Sequence, residues 1–217
     1  QDYLRFLVPK GCRVLALGCG VGTKLAELDP AVGVGVDISD EKVKLAREAY
    51  PTLTFHVGNM EDPTLLDQLQ RSGPYDVILL IDSLGYAWDI QDFLEQLHIV
   101  CHENTRIINA SYSYLWEPLL KLFELVGLRM KSIDTTWLEM KDVERFFSLG
   151  GYEVVKKEWR VLCPVKLLGL GILINKVLAS LPLIRKLALR HFVVARVRPE
   201  KDRCDQSVTV VIPCRNE

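Results

Sequence analysis

Short hydrophobic runs alternate along the chain with longer stretches in which apolar residues recur at helical spacing. The runs predict strands near residues 13–17, 32–36, 53–57, 76–81, 105–110, 152–158 and 191–197. The stretches between them predict helices near residues 23–29, 41–49, 64–71, 90–100, 114–126 and 139–149. Alternation of strands with helices is typical of a parallel sheet covered on both faces. We therefore predict an α/β fold with a seven-stranded, mostly parallel sheet.

The ends of two predicted helices carry recognisable signals. Ser39 or Asp40 is expected to cap the helix that begins near residue 41, because their side-chain oxygens accept from free N–H groups of the first turn. Gly150 and Gly151 are expected to end the helix that precedes the sixth strand. In such a sheet, a ligand is expected beyond the carboxyl ends of strands one, two and four.

A glycine-rich turn follows the first predicted strand. Gly18, Gly20 and Gly22 allow the backbone to turn sharply and to approach a ligand closely, and Cys19 is a small residue that packs between them. The turn leads into the N-terminus of a helix, which attracts anionic groups. Asp37 lies nineteen residues after Gly18, at the end of the second strand, where an acid can accept both hydroxyls of a ribose. These features predict a nucleoside-binding βαβ unit.

The spacing of the glycines separates two nucleoside-binding families. A dinucleotide fingerprint needs its third glycine at position 23, which is Thr23 in this chain. With the third glycine one residue earlier, residues 14–22 resemble the first motif of the class I S-adenosylmethionine-dependent methyltransferases. Further segments resemble the later motifs of that family in the same order, at 34–39, 55–62 and 75–82. The resemblance spans roughly residues 4–198 and implies a Rossmann-like fold with S-adenosylmethionine as the cofactor.

The resemblance also implies roles for individual residues. The glycine turn would lie under the methionine part of the cofactor, Asp37 would bind the ribose, and Asn59 with Met60 would contact the adenine. The full set of expected cofactor-binding residues is Gly18, Cys19, Gly20, Gly22, Asp37, Ile38, Asn59, Met60 and Asp82.

Two positions depart from the family pattern. Ala16 stands where the family usually has an acidic residue that helps to hold the methionine ammonium. Asn59 stands where an aspartate commonly accepts from the adenine amino group, and an amide oxygen can still accept that bond. Ala16 is the larger change because it removes a favourable charge pair.

Methyl transfer to a hydroxyl needs a base in addition to an aligned acceptor. Asp82 has the best position, at the carboxyl end of the fourth strand, and is our candidate catalytic residue. Other candidate bases are Asp89, His56, His98 and His102. Aromatic residues that could line an acceptor pocket or a lid, or belong to the core, are Tyr86, Trp88, Tyr112, Tyr114, Trp116 and Trp137.

Composition fits one substantial domain in a reducing compartment. The chain has 217 residues, of which 49% are hydrophobic, and its net charge of −1 gives no general attraction to nucleic acid. The six cysteines form no C-x-x-C pair and no cluster with histidine, so we expect a cytoplasmic protein with no metal site. The chain begins at Gln1 without an initiator methionine, which fits a trimmed fragment.

A basic, apolar segment precedes and includes the last strand. Residues 159–199 contain eight basic residues and no Asp or Glu. Residues 160–190 are expected to form a helical insertion between strands six and seven of a domain that spans 1–199. One interpretation is peripheral contact of residues 160–198 with anionic lipid at the inner face of the membrane, or a cap over an apolar substrate. The alternative is packing on the domain itself or on a dimer mate.

The last residues resemble a second family. After a polar linker that begins at residue 200, residues 207–217 resemble the opening strand of family 2 glycosyltransferases. This favours a methyltransferase domain cut from a longer methyltransferase–glycosyltransferase fusion; the alternative is a chance C-terminal strand.

We therefore expect a methyltransferase that modifies a hydroxyl of a small molecule, a glycan or a lipid-linked sugar. One alternative is a non-catalytic module that positions a glycosyltransferase at a membrane, which Ala16 and the basic segment favour. The other is a nucleotide-dependent oxidoreductase, which Thr23 disfavours.

Overall fold

A seven-stranded sheet forms the centre of the part of the chain that the structure describes. The computed structural model describes residues 2–113, 138–160 and 189–199, together with residues 116, 117, 121 and 125. The strands are β1 (Arg13–Leu17), β2 (Val32–Asp37), β3 (Thr54–Val57), β4 (Val77–Ile81), β5 (Arg106–Tyr112), β6 (Tyr152–Arg160) and β7 (Arg190–Val197). Their order is β3-β2-β1-β4-β5-β7-β6. The expected Rossmann-like, mostly parallel sheet is confirmed.

β7 is the exception to the parallel arrangement. It runs antiparallel both to β5 and to β6, whereas β3, β2, β1, β4 and β5 are mutually parallel. Because its direction is reversed, the first residue of β7 lies beside the carboxyl end of β5, with Arg190 opposite Tyr112. An arginine that begins a strand thus lies at the edge of the sheet where ligands bind in parallel folds.

Helices cover both faces of the sheet. The described helices are α1 (Asp2–Leu7), α2 (Thr23–Glu27), α3 (Asp40–Ala49), α4 (Pro63–Ser72), α5 (Ile90–Gln96) and α6 (Met140–Leu149). The first three pack on one face through residues such as Leu4, Leu25 and Val43. The last three pack on the other face through residues such as Leu66 and Phe93. The alternating side chains of β1 serve both cores, as the pleat of a doubly covered sheet requires.

The helices differ from the sequence prediction mainly in two places. α1 was not predicted, because six residues give too short a stretch for helical spacing to be recognised. The helix expected over 90–100 ends as α-helix at Gln96 and continues as a 3₁₀ turn over Leu97–Val100. The helix expected over 114–126 and the insertion over 160–190 lie largely outside the described residues.

Side-chain caps begin α3, α4 and α5. Ser39 Oγ accepts from the Lys42 N–H at 3.4 Å, so the cap of α3 is Ser39 and not Asp40. Asp62 caps α4 and Asp89 caps α5, with acceptor distances of 2.9 and 3.0 Å. Gly150 ends α6 as expected. In the described part of the chain, no helix has the length and apolar character needed to cross a membrane.

Candidate active site

The glycine turn after β1 has the backbone geometry that its sequence predicts. Gly18 and Gly22 both have left-handed backbones, with φ of +74° and +78°. A Cβ at Gly18 would lie 2.4 Å from Ser83 Cβ, and one at Gly22 would lie 2.7 Å from the Phe55 ring. The N–H groups of Gly18 and Cys19 both donate to the Val36 carbonyl, at 2.8 and 2.9 Å. The turn is therefore held tightly against the end of β2.

Asp37 joins the end of β2 to this turn. Its Oδ2 accepts from the Gly20 N–H at 2.7 Å, and its Oδ1 accepts from the Ser39 N–H at 3.0 Å. The residue is only 7% exposed, yet it lines a cavity. Each carboxylate oxygen can accept more than one hydrogen bond, so Asp37 retains acceptor capacity toward that cavity.

Cys19 lies between two of the glycines as a packed residue. Burial is the main cause that raises the pKa of its thiol to about 12, and the Asp37 carboxylate raises it further. A neutral thiol is a weak nucleophile. This agrees with a packing role for its side chain within the turn.

The larger of two adjoining cavities lies over the carboxyl ends of β1, β2 and β4 and has a volume of about 470 Å³. Its lining includes most of the residues that the sequence assigned to the cofactor, namely Gly18, Gly20, Asp37, Ile38, Asn59, Met60 and Asp82. Gly22 is not among its lining residues; it begins α2 as the N-terminal cap residue. The structure thus brings together residues that are up to 64 positions apart.

A smaller cavity of about 210 Å³ also lies against the glycine turn. It shares Gly18, Gly20, Ile81 and Asp82 with the larger cavity, and Cys19, Ala16, Lys24 and Arg190 also line it. Ala16 is 5% exposed and presents only a methyl group to this space. The two cavities therefore adjoin, and Asp82 is among the residues that line both of them.

Asp82 has unusual backbone and side-chain surroundings. Its φ is +54°, a conformation that costs energy for a residue with a side chain and that concentrates at functional sites. Its N–H donates to the Ala110 carbonyl at 2.8 Å, and its carboxylate accepts from the Arg190 guanidinium. The guanidinium carbon of Arg190 lies 4.5 Å from the centre of the Tyr112 ring. Sequence reasoning missed Arg190, because it treated this residue only as part of a basic segment.

Glu61 was also missed, and it joins two loops at the rim of the larger cavity. Its Oε1 accepts from the backbone N–H groups of Trp88 and Asp89, at 2.8 and 3.1 Å. The Glu61 N–H in turn donates to Asn59 Oδ1 at 3.1 Å. The loop after β3 is therefore tied to the loop after β4. The only sequence signal was an acid within a segment that resembles the family.

The other candidate bases do not line either cavity in the described structure. Asp89 caps α5. His98 Nε2 lies 2.7 Å from the Gly150 carbonyl oxygen, and the His102 ring lies 3.2 Å from an Asp76 carboxylate oxygen. Burial, followed by the charge of Arg47, lowers the pKa of His56. Asp89, His98 and His102 therefore have partners that account for them without a catalytic role.

The aromatic candidates are divided. Tyr86 lines the larger cavity, and Tyr112 lies against Arg190. Trp88 is 97% exposed on the loop that Glu61 holds. Trp116 N–H donates to the Ser113 carbonyl at 3.1 Å, while Tyr114 and Trp137 lie outside the described residues. Among the described residues, no group of three or more His, Cys, Asp or Glu side chains is arranged to hold a metal ion.

The doubly covered sheet, the glycine turn and the acid at the end of β2 are the features of a nucleoside-binding α/β domain. The sequence profile of the family described as "Methyltransferase domain" matches residues 9–148. The chain belongs to this family of methyltransferase domains. Membership confirms the expected enzyme class and, with it, the expected cofactor. The match does not extend to residues 207–217, which lie outside the described residues.

One curated relative is similar over part of the chain. The magnesium-protoporphyrin O-methyltransferase of Rhodobacter capsulatus is 38% identical over 96 residues, which cover 40% of this chain and 40% of the relative. The match thus covers about two fifths of the length of that relative.

Solved structures share the fold at low sequence identity. A complex of the Haloferax volcanii Trm112 methyltransferase activator with a putative methyltransferase has a TM-score of 0.64 at 18% identity, covering 91% of this chain and 89% of that chain. An S-adenosylmethionine-dependent methyltransferase from Mesorhizobium loti has a TM-score of 0.64 at 16% identity, covering 90% and 96%. Magnesium protoporphyrin IX methyltransferase from Synechocystis, with bound S-adenosylhomocysteine, has a TM-score of 0.58 at 16% identity, covering 90% and 81%.

Proposed function

We propose that this chain binds S-adenosylmethionine along the two adjoining cavities, with the adenosine in the larger cavity and the methionine end in the smaller one. The observation that supports this most directly is that the two cavities meet at Gly18, Gly20 and Asp82. A nucleoside joined to an amino acid fits two adjoining spaces of unequal size, and the two cavities have volumes of about 470 and 210 Å³. A glycine turn between them lets the backbone approach the ligand closely.

The polar groups of the larger cavity suit an adenosine. Asp37 would accept from the ribose hydroxyls, since its carboxylate lines the cavity and retains acceptor capacity. Asn59 Oδ1 accepts one bond from the Glu61 N–H, and a carbonyl oxygen has room for a second donor such as the adenine amino group. Ile38 and Met60 supply apolar surface for the base.

The reaction requires alignment more than covalent help from the protein. When bound, S-adenosylmethionine supplies an electrophilic methyl group. Asp82 lines both cavities, so its carboxylate lies where the acceptor must approach and could take a proton from a hydroxyl. Its ion pair with Arg190 competes with that role, because a carboxylate paired with a guanidinium is a weak proton acceptor, so the paired geometry supports cofactor binding by Asp82 better than proton transfer.

We propose that the acceptor atom is an oxygen, of a small molecule, a glycan or a lipid-linked sugar. The relative from Rhodobacter capsulatus is named as an O-methyltransferase, which supports oxygen as the acceptor atom. Hydroxyl and carboxylate oxygens give different products. A methyl ester releases methanol in mild base, whereas a methyl ether is stable.

Titration calorimetry tests the cofactor proposal. The purified chain is expected to release or absorb heat with S-adenosylmethionine and S-adenosylhomocysteine and to give no signal with NAD. Absence of binding by both adenosyl ligands would contradict the proposal, and binding of NAD alone would support the oxidoreductase alternative.

A second experiment tests the acceptor. Transfer of a labelled methyl group to magnesium-protoporphyrin and to lipid-linked oligosaccharide, followed by treatment with mild base, distinguishes a methyl ester from a methyl ether.

The basic segment supports a second proposal, that the chain contacts anionic lipid at the inner face of the membrane. Its described arginines have partners on their own domain: Arg190 pairs with Asp82, Arg196 with Glu153, and Arg160 with Glu158. Lipid contact would therefore rest on residues 161–188, which contain four further basic residues and no acid.

A glycosyltransferase domain beyond residue 200 is likewise a proposal from the sequence alone. The full-length gene product would test it.

A further inference from the structure

The smaller cavity presents an anion and a cation side by side. The Asp82 carboxylate and the Arg190 guanidinium both line it, and they contact each other. The third charged residue of its lining, Lys24, has its ammonium 3.2 Å from the Glu27 carboxylate. Ala16 makes that part of the wall apolar. The charge pattern is therefore that of one partly buried ion pair beside an apolar wall.

The fold holds Arg190 in place from two sides. Its guanidinium lies against the Tyr112 ring, and its side chain is 19% exposed. The next residue, His191, has its Nε2 2.8 Å from Ser111 Oγ across the β5–β7 pair. Stacking and strand pairing together reduce the side-chain entropy that Arg190 would lose on binding a ligand.

We propose that the Asp82–Arg190 pair binds the amino-acid end of the cofactor, with Arg190 on the carboxylate and Asp82 on the ammonium. This inference rests on the proposed function. An α-amino acid carries both charges about one carbon apart, and a neighbouring acid and guanidinium complement both. A guanidinium has several N–H donors and a carboxylate several acceptor sites, so each can keep its partner while it binds the ligand.

The pair also accounts for Ala16. In the family that the chain resembles, an acid at this position helps to hold the ammonium, and Ala16 cannot do so. Asp82 faces the same cavity from the end of the neighbouring strand β4. The negative charge is therefore supplied from a different strand, and Arg190 adds a cation from β7 that the glycine motif does not contain.

Three ligands that differ only at the amino-acid end test this inference. S-adenosylhomocysteine has both charges, its decarboxylated analogue has only the ammonium, and 5′-methylthioadenosine has neither. We expect Arg190→Gln to weaken the binding of S-adenosylhomocysteine about tenfold without weakening the binding of the other two ligands. We expect Asp82→Asn to weaken the binding of both ammonium-bearing ligands about tenfold and to leave the affinity for 5′-methylthioadenosine unchanged.

Arg196→Gln is the matched control, since Arg196 lies on the same strand and pairs with Glu153 at the surface. It should leave all three affinities unchanged. Unchanged S-adenosylhomocysteine affinity in Arg190→Gln would overturn the inference, as would an equal loss of all three ligands. If the unmodified chain binds none of the three, the proposed function fails instead. Arg190→Lys, which keeps the charge, provides a second variant if Arg190→Gln does not fold.

Discussion

Among the glycines of the turn, Gly18 is the one at which an added Cβ would come closest to another atom. It shares φ +74° with Gly11, but a Cβ at Gly11 would have no atom within 4 Å, whereas one at Gly18 would overlap Ser83. We expect Gly11→Ala to cost about 1 kcal/mol through backbone strain alone. Gly18→Ala should lower the free energy of unfolding by roughly 1–3 kcal/mol more, because Ser83 must move. It should also weaken the binding of S-adenosylhomocysteine. Urea unfolding of both variants measures the difference, and equal losses would contradict it.

Asp37 is the residue on which the ribose assignment depends. We expect Asp37→Ala to weaken S-adenosylhomocysteine at least tenfold, about 1.4 kcal/mol, because both the ribose acceptor and the bond to the Gly20 N–H are lost. Calorimetric titration gives the affinity. Asp67→Ala, on the exposed side of α4, removes the same charge away from the cleft and should bind normally. Unchanged affinity in Asp37→Ala would remove this residue from the site.

At the scale of elements, single capping side chains determine where the helices beside the cleft begin. Asp89 was a candidate base in the sequence, but its Oδ1 accepts from the Asp92 N–H at the start of α5. Serine can make the same cap and cannot act as a carboxylate base. We therefore expect Asp89→Ser to retain both stability and methyl transfer, whereas Asp89→Ala should lose about 1 kcal/mol of unfolding free energy. A large loss of activity in Asp89→Ser with normal stability would show that the carboxylate has a chemical role.

The direction of β7 is the element-level feature with the greatest consequence for the cleft. The hydrophobic run near 191–197 predicted a strand and its bounds within one residue, because apolar spacing is a local property. Its position between β5 and β6 and its reversed direction were not predictable from that run. Strand order and strand direction depend on contacts between distant residues, which the apolar pattern of a single strand does not contain.

For the whole molecule, a buried histidine links stability to pH. His191 is 3% exposed, and burial lowers its pKa to about 4. Its pKa in the unfolded chain is about 6.5, so between these values the unfolded state binds more protons. The stability contribution of neutral His191 is therefore complete above about pH 6.5 and is lost as the pH falls toward 4, by about 3 kcal/mol in total.

Replacement of His191 by glutamine should reduce that pH dependence. Urea unfolding of the wild-type chain and of His191→Gln at several pH values between 7.5 and 4 measures it. The pKa of His56 is lowered in the same direction, but His56 is present in both proteins, so the difference in slope reports His191 alone. Parallel curves for the two proteins would show that His191 does not titrate as its burial indicates.

The sequence by itself determined the strands, most helices, the glycine turn and Asp37. Each of these depends on a short stretch of chain: apolar period, glycine spacing, or an acid at the end of a strand. Only the tertiary structure placed Arg190 beside Asp82, 108 positions away, and Glu61 on the loop that contains Trp88. Such pairs depend on strand order and direction, because side chains meet only after the sheet has assembled. The local motifs therefore predicted the glycine turn and most of the residues that line the larger cavity, whereas the ion pair between Asp82 and Arg190 required the fold.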